Sequence, residues 1–148
     1  MKAARPPALV IGWMEWLDLP DLGLSAVKAK IDTGARTSAI HAVGIETFRR
    51  DGRDWVRFAV PLGDDDPRHA VEAPIHDRRD IKNTSGVPEA RIVIRTRLRL
   101  IDRAWTISLS LADRGAMRFP MIVGRTALKR HDVAVHTRRA YLTGDARR

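Results

Sequence analysis

The sequence predicts an all-β fold with one short helix. Its clearest strand spans 91–100, where apolar residues and Thr96 at even positions alternate with arginines at 91, 95, 97 and 99. A second alternating run, 105–111, follows a turn around 102–103, and the two runs predict a hairpin with one apolar face. The other strand candidates are short and closely spaced, as in a small sheet that closes or folds on itself.

The remaining elements follow from local patterns along the chain. The other predicted strands are 8–12, 27–31, 38–42, 55–60, 121–123 and 133–135, and the one convincing helical stretch is 126–130. A polar segment, 61–88, is expected to form a mobile loop or flap, and the arginine-rich tail 144–148 is expected to fray. With 148 residues and 44% hydrophobic content, the chain fits one domain over 1–148.

Composition excludes several classes of mechanism. The chain has no cysteine, so it has no disulfides, thiolate zinc ligands or thiol nucleophile. No apolar run approaches the ~20 residues that cross a membrane, and the apolar stretch near the start is too brief for a secretory signal. We therefore expect a cytoplasmic protein. No phosphate-binding loop of the Gly-x-x-x-x-Gly-Lys type occurs, so we expect no bound ATP and no other cofactor.

The tetrapeptide Asp32-Thr33-Gly34-Ala35 indicates a chemistry, because it directly follows a predicted strand. Asp32 supplies a carboxylate that can hold or pass a proton, and Thr33 supplies a hydroxyl that can fix the turn. Gly34 allows the backbone to approach that carboxylate, and Ala35 leaves room for a substrate main chain. By itself the pattern is also that of an ordinary turn between strands.

A second segment far downstream adds specificity. The apolar run 119–123 leads into Gly124-Arg125 and then into the predicted helix. Together the two segments resemble the retropepsin-like aspartic peptidases, which carry Asp-Thr-Gly-Ala after one strand and an apolar-Gly-Arg segment before a short helix. The resemblance implies a closed acid-protease barrel with its active site on the two-fold axis of a homodimer.

A closer resemblance covers most of the chain. It is to the bacterial family labelled "ATP-dependent zinc protease", which is associated with an ATP-grasp ligase that adds glutamates to a ribosomal protein. The matching segments are 12–16, 19–20, 22–23, 29–42, 56–58, Arg79, 81–82, 85–86, 117–121 and 124–128. The resemblance implies a functional link to that glutamate ligase and a glutamylated protein as substrate.

Aspartic peptidases need two carboxylates that share a proton across a water molecule. The chain has one such motif, and the stretch 83–86 lacks the carboxylate that a second would need. A second copy must therefore supply the other Asp32, which places the site between identical subunits. The resemblance gives Asp32, Thr33 and Gly34 the catalytic roles, with the Thr33 hydroxyl bonding across the two-fold axis.

One departure from the viral pattern concerns charge. Viral retropepsins usually carry an aspartate after the alanine, and it pairs with the arginine of the downstream segment; here the residue is Arg36. Either another carboxylate such as Glu46 neutralises Arg36 and Arg125, or the substrate does. The excess of 27 Lys and Arg over 18 Asp and Glu favours an acidic substrate. The predicted substrate-binding residues are Ala35, Arg36, Arg118 and Arg125, with Lys28, Lys30, Arg79 and Lys82 as weaker candidates.

The predicted function is thus cleavage of an acidic, glutamate-rich peptide or protein tail. A catalytically silent module that binds an anionic partner, either an acidic peptide or nucleic acid, is the alternative. The arginine row of strand 91–100 would suit phosphates, but an aromatic content of 5% argues against single-strand recognition. No His-Glu-x-x-His occurs and the five histidines are scattered, so we predict no metal site despite the family's label.

Overall fold

The computed structural model describes residues 8–62, 69–82, 85–113 and 119–143. Strands dominate these ranges, and the single α-helix within them is one turn long. The strands are β1 (Leu9–Gly12), β2 (Met14–Leu19), β3 (Leu24–Asp32), β4 (Ser38–His41), β5 (Val43–Arg50), β6 (Arg53–Val60), β7 (His69–Pro74), β8 (Asp77–Lys82), β9 (Pro88–Leu100), β10 (Arg103–Ala112), β11 (Met121–Gly124) and β12 (Val133–His136), and the helix is α1 (Arg125–Leu128). Within the described ranges, no helix has the length and apolar character required to span a bilayer.

The strand pairings form a closed ring. The order β10-β4-β11-β3-β2-β9 returns to β10 through the β9–β10 hairpin, and β8 extends the ring from the edge of β9. A separate sheet contains β5, β6 and β7, and β1 pairs in parallel with β12. The predicted all-β architecture with one short helix is therefore confirmed, whereas the homodimer axis stays a prediction.

The predicted hairpin is present in the expected phase over most of its length. Leu98 lies opposite Trp105 and Ile94 lies opposite Leu109, with their side chains buried. The prediction was wrong for Arg91, which is buried together with Val93. Arg91 donates to the carboxylate of Glu89, whose side chain remains half exposed. This ion pair compensates the buried charge of Arg91.

The prediction of a loop over 61–88 was also wrong in part, since β7 and β8 lie entirely within it. β7 has buried Val71 and Ala73 and pairs along its whole length with β6. β8 has Ile81 as its one apolar residue, and its order comes from pairing with β9. Composition hides such a strand because its backbone partner, not its own apolar face, stabilises it. The segment 63–67, the pair 83–84 and the tail 144–148 lie outside the described residues.

One side chain in the core of the ring lacks a hydrogen-bond partner. Thr96 is 2% exposed and lies opposite Ile107, and its hydroxyl bonds to no described residue. A buried hydroxyl that is left unsatisfied reduces stability, because it gives up its bond to water on folding and gains none in return.

We expect Thr96→Val to raise the free energy of unfolding by about 1 kcal/mol, because valine has nearly the same shape and nothing to desolvate. Denaturant unfolding followed by tryptophan fluorescence measures the change. Thr106→Val on the exposed face of β10 is the matched control, and we expect it to change stability by less than about 0.5 kcal/mol. A destabilised Thr96→Val protein would mean that the hydroxyl has a partner, such as a buried water.

Candidate active site

The two motifs that the sequence places far apart meet at the ends of two adjacent strands. β3 and β11 run in parallel, and their register pairs Asp32 with Gly124. β11 also pairs with β4, which begins directly after the Asp32 turn. The turn therefore leaves β3, passes over the end of β11 and returns as β4 on the other side of β11. This topology holds the turn residues at one end of the ring.

The turn itself directs backbone groups at the Asp32 carboxylate. The Gly34 N–H donates to Asp32 Oδ1 at 3.0 Å, and the Ala35 N–H donates to the Asp32 carbonyl at 3.1 Å. A β-carbon at Gly34 would lie 3.2 Å from Oδ1, so glycine permits this close approach. Asp32 is half-buried, and Thr33 and Gly34 are exposed. A carboxylate that is held by the backbone and still open to solvent can take up a proton from a bound water.

The downstream segment 124–126 packs against the Asp32 turn and holds it through hydrogen bonds, and we call this segment the clamp. The Arg125 N–H donates to the Ala35 carbonyl at 2.8 Å, and the Arg125 guanidinium donates to the Gly34 carbonyl at 3.3 Å. The hydroxyl of Thr126 donates to the Arg36 carbonyl at 2.7 Å. Arg125, predicted to bind substrate, therefore contacts the backbone of the Asp32 turn. Its bonds fix the position of Gly34 and hence the N–H that faces Asp32.

Gly124 is required by the same packing. A β-carbon at this position would lie 2.5 Å from the Thr37 carbonyl oxygen and 2.9 Å from that of Ala35. The Gly124 N–H donates to the buried Ser38 hydroxyl, and Ser110 in turn donates to the Ser38 carbonyl. Ser38, Ser110 and Thr126 were not assigned roles from the sequence. Ser38 and Thr126 lie within the segments that match the bacterial family. Ser110 lies in a strand that was predicted from its alternation, and that alternation does not indicate that its hydroxyl forms a bond.

A groove of about 660 Å³ lies beside Thr33. Leu128, Val133 and Val135 contribute apolar surface to it, and Thr137 contributes a hydroxyl. Its charged lining residues are all cationic: Arg36, Arg125 and Lys129. A ligand that enters this groove therefore meets positive potential above apolar side chains.

Glu46 does not neutralise these arginines, contrary to one of the two possibilities that the sequence left open. It lies on β5 beside Arg57, with an Oε2–Nη1 distance of 3.9 Å. Neither Arg36 nor Arg125 forms an ion pair with a carboxylate of the described residues. Arg118 lies outside the described residues, so its predicted role in substrate binding stays a prediction.

Comparison with known families places this arrangement. The profile of the RimB-like family, described as "Retropepsin-like aspartic endopeptidase RimB", matches residues 10–145, which include both motifs and all the strands from β2 to β12. The chain belongs to the RimB-like family. The resemblance to retropepsin-like peptidases seen in the sequence is thereby confirmed at the level of the family.

Several curated relatives of this RimB-like chain are much longer proteins. A probable alpha-L-glutamate ligase from Desulfotalea psychrophila is 50% identical over 121 residues, covering 80% of this chain and 26% of that protein. Proteins of the same name from Parasynechococcus marenigrum and Shewanella pealeana are 44% and 42% identical over similar shares. The chain thus spans about a quarter of the length of these relatives.

A solved structure resembles the RimB-like fold over nearly all of both chains. It is the crystal structure of Lpg0085 from Legionella pneumophila subsp. pneumophila str. Philadelphia 1, a protein described as having unknown function (DUF785). The TM-score is 0.77 and the identity 27%, with 91% of this chain and 98% of that chain covered. The ring of strands is therefore shared with that protein.

The histidines of this RimB-like chain are spread over the fold. His41 is buried in β4, where its Nδ1 lies 3.2 Å from the Ala112 carbonyl oxygen, and His131 stacks on Trp105. Burial and the nearby Arg103 lower the pKa of His131 below its usual value. In the described part of the chain, no three His, Asp or Glu side chains are grouped so that they could hold a metal ion.

Proposed function

We propose that this chain is an aspartic endopeptidase that cleaves an acidic, glutamate-rich peptide or protein tail. The observation that supports it most directly is the Asp32 turn: a half-buried carboxylate, bonded by the Gly34 N–H and clamped by the segment 124–126. In the proposed reaction, one carboxylate takes a proton from a water as that water attacks the peptide carbonyl. A second carboxylate gives a proton to the developing oxyanion.

The second carboxylate is Asp32 of another copy in this proposal. Thr33 is exposed beside Asp32, and its hydroxyl bonds to no described residue. This is what we expect of a hydroxyl that forms its bond across a two-fold axis, to another copy of the chain. The groove next to it offers Leu128, Val133 and Val135 for burial against that copy.

The proposed substrate charge rests on Arg36 and Arg125. Both lack an ion-pair partner among the described carboxylates, and Lys129 adds a third positive charge to the same groove. The relatives named as probable alpha-L-glutamate ligases support a functional link, since peptides made by glutamate ligation would carry the matching negative charges. We place this activity in the cytoplasm, with the ligase as a functional partner and no cofactor of its own.

The test is cleavage of a peptide panel, read by mass spectrometry with and without a chelator. We expect oligoglutamate peptides to be cleaved at least about tenfold faster than glutamine peptides of the same length at low salt, with the preference shrinking as salt screens the groove. Chelator should leave the rate unchanged. Loss of cleavage with chelator would overturn the aspartic mechanism. Binding of acidic peptides without any cleavage would favour the silent binding module instead.

A further inference from the structure

A narrow recess, separate from the groove, lies beside the clamp. It has a volume of about 20 Å³ and is lined by Thr37, Ser38, Arg79, Ile81, Val93, Ser108, Ser110 and Thr126. Thr126 lines both the recess and the groove, and Thr37 ends the turn that begins at Asp32. A volume of this size admits one or two water-sized groups, such as the head of a carboxylate, and excludes a ring.

The hydroxyls of the recess divide into two sets. Ser38 accepts from Gly124 N–H, Ser110 donates to the Ser38 carbonyl, and Thr126 donates to the Arg36 carbonyl, so these three support the clamp. Thr37 and Ser108 have no hydrogen-bond partner among the described residues for their hydroxyls. Both hydroxyls can therefore donate to a group that enters the recess.

Arg79 is the one charged side chain of the recess lining, and no lining residue is a carboxylate. Its Nε donates to Asp77 Oδ2 at 2.7 Å, and its terminal Nη groups donate to no described residue. The bond from Arg79, together with that from the Arg78 N–H, lowers the pKa of Asp77, so this carboxylate stays ionised and orients the guanidinium. An arginine held by Nε still presents its two outer N–H groups as a fork that fits a carboxylate.

Apolar side chains complete the recess. Ile81 on β8 and Val93 on β9 line it together with the polar groups. Because the recess admits only one or two water-sized groups, a glutamate side chain would place its carboxylate against Arg79 and keep its two methylenes outside the recess. A glutamine would lack the charge–charge attraction to Arg79, and a lysine would be repelled by Arg79.

We propose that this recess is a specificity subsite in which Arg79, with the hydroxyls of Thr37 and Ser108, binds a carboxylate side chain of the peptide substrate. It rests on the proposed peptidase function and refines it, because it assigns the recognition of one acidic side chain to β8 and not to the groove at Arg36. Arg79 and the hydroxyls touch the substrate in this proposal but do not touch the reacting atoms.

The test uses peptides in which a single Glu is moved through a glutamine scaffold. Wild type should prefer Glu over Gln at one or more positions, measured as kcat/KM. At one of these positions Arg79→Gln should lower kcat/KM for the Glu peptide by about tenfold or more, while the Gln peptide changes by less than about threefold. Asp77→Asn should keep the Glu preference, because the amide oxygen can still accept from Arg79 Nε and orient the guanidinium.

Arg78→Gln is the matched control, since it removes the same charge from the neighbouring position on β8, where the side chain lies 3.5 Å from Asp54 and outside the recess. It should keep the wild-type preference at every position. An Arg79→Gln enzyme with the wild-type preference would overturn the subsite, and a preference lost equally in both variants would reduce it to general attraction by net charge.

Binding of the same peptides to the Asp32→Asn variant separates this proposal from the proposed function. If wild type cleaves acidic peptides and neither cleavage nor binding depends on Arg79, the subsite is wrong and the peptidase stands. If wild type cleaves nothing but the Glu peptide binds Asp32→Asn at least about tenfold more tightly than it binds the double variant with Arg79→Gln, the subsite stands and the peptidase is wrong. If no peptide is bound or cleaved, both are overturned.

Discussion

Replacing Asp32 by Asn is expected to lower kcat for acidic peptides by at least about a thousandfold, because the amide can neither take a proton from the attacking water nor share one with its partner. The fold should persist. Asn retains the Oδ1 acceptor for the Gly34 N–H, and the position is only half-buried, so the free energy of unfolding should change by less than about 1 kcal/mol. Initial rates of peptide cleavage and denaturant unfolding measure the two effects.

Asp102→Asn is the matched control, because Asp102 is an exposed carboxylate in the turn between β9 and β10, away from both motifs. It should cleave like wild type.

Mixing the Asp32→Asn protein with wild type tests whether the site is shared between subunits. With a tenfold excess of Asp32→Asn subunits, equilibrated with wild type, peptide cleavage should fall to about one tenth, because most wild-type subunits enter mixed dimers. Unchanged activity in the mixture would place both catalytic groups in one chain, and an active Asp32→Asn protein would exclude Asp32 from the reaction.

Replacing Glu15 by Ala is expected to cost at least about 3 kcal/mol of unfolding free energy, because it leaves several buried donors without an acceptor. Glu15 is fully buried on β2. Its Oε2 accepts from the Gly12 N–H at 2.6 Å and the Leu142 N–H at 2.8 Å, and its Oε1 accepts from the Thr143 hydroxyl at 2.8 Å. One carboxylate thus joins the β1–β2 corner to the last described residues. Denaturant unfolding measures the loss.

Glu46→Ala provides the comparison for Glu15→Ala, since the Glu46 side chain is 72% exposed and its bridge to Arg57 is long. We expect a change below about 0.5 kcal/mol. Thr143→Val should cost about 1 kcal/mol in wild type and nearly nothing in Glu15→Ala, because the bond that the substitution removes runs from the Thr143 hydroxyl to Glu15. A loss below about 1 kcal/mol in Glu15→Ala, or additive effects in the double variant, would contradict the role assigned to this carboxylate.

The alternating strands and the paired motifs could be predicted from the sequence because each depends on local pattern. The hairpin of β9 and β10 follows from period-two alternation, and the meeting of Asp32 and Gly124 follows from the order of two segments. β8 was hidden because its partner β9 stabilises it. Arg91 was misplaced because strand alternation assigns a face and does not reveal that both faces of β9 are covered over 91–94.

At the candidate site, the sequence identified the residue types but not all of their contacts. Arg125 was predicted to bind substrate, and the sequence did not reveal that its guanidinium also donates to the Gly34 carbonyl. Ser38 and Ser110 could not be recognised from the sequence, because their hydroxyls bond to backbone groups that are distant in sequence and are identified only by the fold. Contacts between residues so distant in sequence require the fold.

The clamp also sets the order in which the site can form as the chain is made. Gly34 and Arg125 are 91 residues apart. β1 pairs with β12, and the residues of this pair are still further apart in the sequence. Such non-local pairings form late, after the entropy of closing long loops has been overcome. A ribosome-bound chain that has exposed the Asp32 turn therefore has neither β11 beneath it nor the arginine that fixes Gly34. Formation of the complete Asp32 site is thereby delayed until synthesis has passed β11 and Arg125.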